Sequence, residues 1–521
     1  MIPRLVPSPI SPSGVDSLAA LVDAPARAGG TRSGGVPREL LPAFMRVPGN
    51  DALLARLATP DLLLVTTGQQ PALFSGPLYT VHKALSTAAL ARTLEERWGR
   101  PVAPVFWAAG DDHDFAEAAH AEWLAPDGSV TGAALPPRPA EAPLTPMYRE
   151  PLGAAVSQAL DALARDLAPS EFRDWTLEWL ARHYTPDATM GSAFATALAE
   201  LLAPHGIAVF DSTHPAVKRA AAPLLMDALR RAAALDGSLA KRAQVLAREG
   251  HDAGIAAGDG ATLVMVECRM GRDRLLAHEH GFTTRRGKTV YDLAHLEALA
   301  AREPERFSPN VLLRPVLESA LLPTVAYTGG PGELRYLRLT PSVYETLGVR
   351  PQAVVPRWSG AIVEPRIERV LEKFAISLHD LMQPPGALEA RLVRSRLPEG
   401  VTGALAELRR AIEAGYEPIA RSAVEIDPTL EKTVQAARQH ALTGTADIEK
   451  KLVQHLKRRE ETELAQIARA RHAVWPNGKP QERVLTAAPF LARHGPTLLD
   501  ALIGEMRRWY AAALEGAARP A

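Results

Sequence analysis

The segment Asp111-Asp112-His113-Asp114 sets three carboxylates and an imidazole side by side. Such a group could bind a divalent cation, orient an amine, or exchange protons with one. The same residues could cap a helix, because aspartate is favoured at the positive end of the helix dipole. Adjacent residues cannot all point one way, and the expectation is that one of the four reaches a substrate. A second polar segment, Thr66-Thr67-Gly68-Gln69-Gln70, offers two side-chain amides beside a glycine that would let backbone N–H groups approach an anion. It lacks the GxxxxGK[ST] spacing of a P-loop, and an ordinary strand–helix turn explains it as well. His82 follows Tyr79 by three residues near a helix start, where an imidazole stays neutral and could donate to phosphate. A half-buried structural histidine is the alternative. Thr328-Gly329-Gly330-Pro331-Gly332-Glu333 is another glycine turn, flanked by Arg314 and Arg335, which could equally be structural ion pairs. Asn477, Lys479 and Arg483 lie in a turn that could contact phosphate as a second nucleotide site, or could simply pack the helices that follow.

These groups need a frame. Leu62-Leu63-Leu64-Val65 is a short apolar run, as in a strand buried on both faces. Pro77 suits the first position of a helix, along which Leu78, Val81, Leu85 and Ala88 recur at helical spacing; Gly99 and Pro101 stop it. Val102–Trp107 is a second strand. A βαβ unit of this kind implies a parallel sheet, and it sets the 66–70 and 111–114 segments beyond the carboxyl ends of neighbouring strands, where open α/β sheets bind ligands. The alternation continues with helix over 171–203, strand 206–211, helix 215–235, a strand pair at 261–267 and 274–277, strand 323–328, a helix from about 333 and strand 353–356. The fold class is therefore α/β, a doubly wound parallel sheet with insertions. Residues 1–50 are rich in Pro, Gly and Ser, with a helix expected only at 15–23.

The pattern changes after about residue 360. Ile367, Val370, Leu371, Phe374, Leu378 and Leu381 share one helical face, and Leu405, Leu408, Ile412 and Ile419 another. Asp427-Pro428 caps a long charged helix carrying Ile448, Leu452, Leu456, Leu464 and Ile467, though no apolar residue fills 457–463. An antiparallel helical hairpin or coiled coil is expected. The expected boundaries are a core over 1–360 (mainly 61–125, 200–235 and 260–360), a helical region over 361–475, and C-terminal helices over 476–521 that pack back on the core.

Composition narrows the function. Lys plus Arg number 59 against 59 Asp plus Glu, which disfavours nucleic-acid binding through a large positive field. An apolar share of 47% with 23% charged residues marks a folded chain. Cys268 is the only cysteine, which excludes an intramolecular disulfide and Cys-rich metal sites. There is no secretory-type start and no run of the ~18–20 apolar residues that a membrane span needs. The expectation is a soluble cytoplasmic protein with no membrane or nucleic-acid partner.

Four segments, TTGQQPALFSGPLYTVHKA at 66–84, PVFWAAGDDHDF at 104–115, SPNVLLRPVLESALLPTVAYTGGPGE at 308–333 and PNGKPQERV at 476–484, together resemble the bacillithiol biosynthesis cysteine-adding enzyme family, BshC. The resemblance implies a Rossmann-like core related to class I nucleotidyltransferases and a C-terminal coiled coil through which the chain forms a homodimer. It implies an activity as well: cysteine is joined to the amine of glucosamine-malate by an amide bond. ATP or a related nucleotide, with Mg where a nucleotide binds, is the expected activator. Tyr79 stands where the synthetase-like fold keeps the first His of its His-x-x-His signature, and the lysine-rich second signature is absent from 326–357. On this reading His82 and the loop residues Thr67, Gly68, Gln69 and Gln70 hold the activated group, with Tyr79 beside them. Asp112, His113 or Asp114 holds the amine or takes its proton. Gly329, Gly330 and Glu333 close the pocket, and no metal ligands are assigned. The alternatives are another nucleotide-dependent transferase or hydrolase in the same crevice, or a non-catalytic coiled-coil scaffold.

Overall fold

The computed structural model describes residues 3–7, 15–22, 35–256 and 260–518 of the 521. They divide into two compact units: residues up to 126, 130–362 and from 480 onward in the first, and 127–129 with 363–479 in the second.

The first unit is built on a five-stranded parallel sheet of β1 (Leu63–Gln69), β2 (Val102–Ala108), β3 (Ala208–Asp211), β4 (Thr324–Gly329) and β5 (Ala353–Pro356), in the spatial order β5-β4-β1-β2-β3. The order reverses at β1, the doubly wound arrangement. β1 pairs with β2 from Leu63↔Val102 to Gln69↔Ala108. Six of the seven residues of β1 are buried, because layers cover both faces of a parallel sheet. Helix α1 (Tyr79–Trp98) crosses from β1 to β2 and buries nearly its whole first half. It starts two residues after Pro77 and ends at Gly99, whose φ of 59° only glycine adopts freely. The C-terminal helix Thr497–Ala518 packs along α1.

Three expectations change; the helix expected over 215–235 is two, Pro215–Arg230 and Ala232–Arg248. The strand pair at 261–267 and 274–277 lies outside the parallel sheet. Ala261–Cys268 and Gly271–His278 form an antiparallel hairpin in a second five-stranded sheet, with Gly281–Thr284, Val290–Tyr291 and Phe307–Pro309. The physical reason is the connection, Arg269-Met270, which is too short for a crossover. The helix expected over 171–203 is two, Arg173–His183 and Met190–Leu202, separated around Pro186.

In the second unit, helices α2 (Glu399–Ile426) and α3 (Leu430–Arg459) form a hairpin joined at Asp427–Thr429, where the Asp427 carboxylate accepts from Thr429 N–H. A further helix runs over Glu461–Val474. The break at Glu460 falls inside the stretch 457–463 that has no apolar residue, where nothing holds a continuous seam together. No described helix is long and apolar enough to cross a membrane.

Candidate active site

Beyond the carboxyl ends of β1, β2 and β4 the first unit opens into two adjoining cavities. One, of about 410 Å³, is lined by Gly68, Gln69, Gln70, Tyr79, Lys83, Glu117, Gly330, Glu333, Arg357 and Arg483 among others. The other, of about 310 Å³, is lined by Asp111, His113, Lys218, Arg272, Arg274 and Asn310 among others. They share Ala109, Asp112, Asp114, Val311 and Arg314. A larger surface hollow along Ala155–Asp166 and Arg173–His183 includes no residue from the strand ends.

The floor of the first cavity is a buried network centred on Lys83. Its ammonium donates to Gly68 O, to Gln69 Oε1 (3.2 Å) and to Glu333 Oε2 (2.7 Å). Tyr327 donates its hydroxyl to Glu333 Oε1 (2.6 Å), and Gly330 N–H reaches Glu333 Oε2 (2.8 Å). Burial alone would raise the Glu333 carboxyl, but the Lys83 charge and these hydrogen bonds hold it below the usual glutamate range. Burial pushes the Lys83 ammonium down, with Glu333 opposing it. Gln69 Nε2 donates to Gln70 Oε1 (2.9 Å) and to Tyr79 Oη (3.2 Å). Burial first, then Glu117, pushes the Tyr79 phenol up to about 12.

His82 is not part of this lining. It is fully buried, its Nδ1 lies 2.8 Å from Glu482 Oε2, and its ring meets Trp358 edge-on at 5.1 Å. Burial keeps the imidazole neutral against the pull of Glu482, so Nδ1–H is the donor. Three helical steps fall about 60° short of a full turn, enough to send His82 into the core while Tyr79 faces the cavity. Lys83, one residue on and four after Tyr79, returns to the cavity face. His82 therefore lines neither cavity; it is tied to Glu482, which Arg357 grips with two parallel hydrogen bonds of 2.8 and 2.6 Å. Arg357 and its neighbours hold the Glu482 carboxyl far below the usual range despite its burial.

The glycine turns serve packing more than ligand approach. β1 continues through Gly68 to Gln69, and a Cβ on Gly68 would sit 3.0 Å from Trp107 O and 3.6 Å from an Arg314 nitrogen. Thr67 is buried, donating to Thr328 O (2.8 Å), and lies outside both linings. Gly329 accepts from Arg357 N–H through its carbonyl and lines neither cavity, and the Gly330 N–H is taken by Glu333.

The acidic quartet divides. Asp111 pairs with buried Lys218, which also donates to Phe307 O (3.0 Å). Asp112 Oδ1 accepts from Asp114 N–H (2.8 Å), and Asp114 caps the short helix Phe115–Ala118 through Glu117 N–H (3.2 Å). Capping and cavity lining thus coexist at Asp114. His113 Nδ1 accepts from Arg272 (3.1 Å); burial, then Arg272, keeps the imidazole neutral, leaving the hydrogen on Nε2. Glu117 titrates above the usual range through partial burial and the charges of Asp114 and Asp112. Among the described residues no group of three or more His, Cys, Asp or Glu could hold a metal ion.

Of the remaining expected positions, Arg314 pairs with Glu318 (3.0 Å) and Arg335 with Asp252. Asn477, in a left-handed turn at φ 52°, and exposed Lys479 belong to the second unit, whereas Arg483 lines the first cavity. Lys83, Arg357 and Glu482 carry much of the site and were not among the expected residues. The spacing of Lys83 after Tyr79 was the one signal available. The Arg357–Glu482 and His82–Glu482 pairs join positions 125 and 400 residues apart, with no local mark in the sequence.

A doubly wound α/β unit with a polar cleft at its strand ends, followed by a helical hairpin unit, defines a Rossmann-like protein with a C-terminal coiled coil. Comparison with known proteins identifies the family. Residues 46–358 match the N-terminal Rossmann-like domain of bacillithiol biosynthesis BshC, and residues 360–509 match its C-terminal coiled-coil domain. The chain belongs to the BshC family. Relatives bearing the name "Putative cysteine ligase BshC" include one from Symbiobacterium thermophilum, 31% identical across 86% of this chain and 83% of its own. Others come from Heliobacterium modesticaldum (30% identical, 87% and 83% covered) and Salinibacter ruber (29% identical, 87% and 82% covered).

Proposed function

We propose that the chain is a cysteine ligase of bacillithiol biosynthesis, joining cysteine to the amine of glucosamine-malate by an amide bond. The observation that carries this reading is the meeting of two cavities at Asp112, Asp114 and Arg314. An amide-forming enzyme must bring two polar substrates to one junction, and the names of the relatives supply the chemistry that fits. The attacking nitrogen forms a bond to the cysteine carboxyl carbon as the bond to an activated oxygen breaks. An ammonium held by Asp112 and Asp114 must first lose a proton, and Glu117, with its raised affinity for protons, is the base within reach of the same wall. Tyr79 and Gln69 position the partner in the first cavity. His82 acts through Glu482 and Arg357.

ATP is proposed as the activating co-substrate. The cations of the first cavity do not build a triphosphate cradle: Lys83, Arg314 and Arg357 are each paired with a buried or half-buried carboxylate, and Arg483 alone among them has no ion-pair partner within the described residues. No step is therefore routed through a nucleotide here. We further infer a homodimer formed through the α2–α3 hairpin, which exposes Leu408, Ile419, Val424, Ile448 and Leu452; light scattering at the dimer mass is the expected result. The function is tested by mass spectrometry of the purified chain with cysteine, glucosamine-malate and ATP. The expected product is the cysteinyl amide. An adenylylated sugar or bare ATP hydrolysis would instead indicate a nucleotidyltransferase or hydrolase.

A further inference from the structure

Arg272 is 7% exposed and has no carboxylate partner among the described residues. Its donors go only to neutral acceptors: Ser308 Oγ (2.8 Å), Pro309 O (2.7 Å) and the neutral imidazole of His113 (3.1 Å). A buried charge left to dipoles alone is unfavourable unless something anionic completes it. Asp112 and Asp114, on the shared wall, form no ion pair with Arg272 among the described residues, and the other nearby acids are committed elsewhere. Asp111 is held by Lys218, and Glu267, directly across the ladder from Arg272, binds Tyr148 and Arg149. Asp273 points to the other face of the strand, where it accepts from Arg286 and Gly287 N–H. Arg274 follows at the two-residue period that returns a strand to the same face, and it too lacks an ion-pair partner among the described residues. Both arginines line the second cavity with Arg314, beside apolar Met265, Phe307 and Leu317.

We propose that the Arg272–Arg274 end of this cavity is a subsite for a small dicarboxylate, the acidic arm of the acceptor substrate. The naming of that arm as malate rests on the ligase reading above; the anion site itself rests on the unpaired guanidiniums. Seated there, the acid would direct the sugar toward the shared wall of Asp112 and Asp114, where the amine is needed. Planar guanidinium forks suit carboxylate oxygens, and two of them on one strand suit a molecule with two carboxylates.

The test uses the full-length protein, with calorimetric binding of L-malate, succinate, inorganic phosphate and ATP, and steady-state kinetics with glucosamine-malate. L-malate is expected to bind, and to compete with glucosamine-malate but not with cysteine. Arg274→Gln should weaken L-malate binding and raise KM for glucosamine-malate by about tenfold or more, with KM for cysteine unmoved. Arg272→Lys, which keeps the charge but loses the fork, should give a smaller loss in the same direction. Methyl glucosaminide, which lacks the acid, should be equally poor with wild type and Arg274→Gln. L-malate binding that Arg274→Gln abolishes, in a protein that makes no amide, would support the subsite and refute the ligase. Amide formation with an unchanged KM in both variants would refute the subsite and leave the ligase standing. Failure of L-malate to bind, or tighter binding of phosphate or ATP that the variants abolish, would also overturn the dicarboxylate assignment.

Discussion

The two cavities differ in how fully their cations are paired. In the first, each buried cation has a carboxylate of its own: Lys83 has Glu333, Arg314 has Glu318, and Arg357 has Glu482. In the second, Lys218 has Asp111, whereas Arg272, 7% exposed, has no carboxylate partner among the described residues. A self-paired network fixes a shape, because removing either member strands a charge in a low-dielectric interior. An unpaired guanidinium leaves its attraction available to a ligand. The first cavity therefore reads as a preorganised wall and the second as a place that waits for an anion.

The largest effect should come from breaking the self-paired wall. Glu482→Ala leaves Arg357 buried without a partner and removes the acceptor of His82; a loss of about 3–5 kcal/mol in urea unfolding is expected. His82→Ala removes only the neutral partner, and should destabilise by less than Glu482→Ala. A catalytic loss from His82→Ala as complete as that from Asp112→Asn, at unchanged stability, would contradict the indirect role given to the histidine.

Lys83 offers a sharper form of the same comparison. Lys83→Met and Glu333→Gln should each destabilise by about 3 kcal/mol, while the double variant should be less destabilised than the sum, since no charge is stranded. Additive losses would show that the pair is not coupled.

The smallest effect is at Glu117. Its carboxyl binds a proton more readily in the folded chain than in the unfolded one, so ionisation above the usual glutamate range opposes folding. At pH 4 the neutral acid prevails and the opposition is slight; by pH 7 it is fully present. Glu117→Gln should therefore stabilise the protein at pH 7, by only about 0.5 kcal/mol with solvent screening at this cavity edge, and leave it nearly unchanged at pH 4. The same variant should slow amide formation and remove the acid limb of its pH profile. Retention of that limb would assign the proton transfer to another group.

Much of the frame was legible in the sequence. The apolar run at 62–65, the stop at Gly99 and the strand at 353–356 signal their elements through local periodicity, and the interrupted seam at 457–463 coincides with a real helix break. The site was legible only in part. Gln69, Gln70, Tyr79, Asp112, Asp114, Gly330 and Glu333 do line the first cavity, since position beyond a parallel strand is a local property. His82 lies off the lining, because a three-residue spacing looks cofacial until a core neighbour, Trp358, claims one side. Arg272 and Glu482 were invisible for a different reason: an unpaired cation and a buried acid are defined by what surrounds them across hundreds of residues.

The most direct test of the two-cavity junction is product formation by Asp112→Asn/Asp114→Asn, followed by mass spectrometry with cysteine, glucosamine-malate and ATP, alongside calorimetry of each substrate. Wild type should form the cysteinyl amide, and the double variant should still bind cysteine while forming the amide about a hundredfold more slowly or worse. Wild-type turnover in that variant, or a wild-type product without an amide bond, would contradict the junction as the place where the two substrates meet.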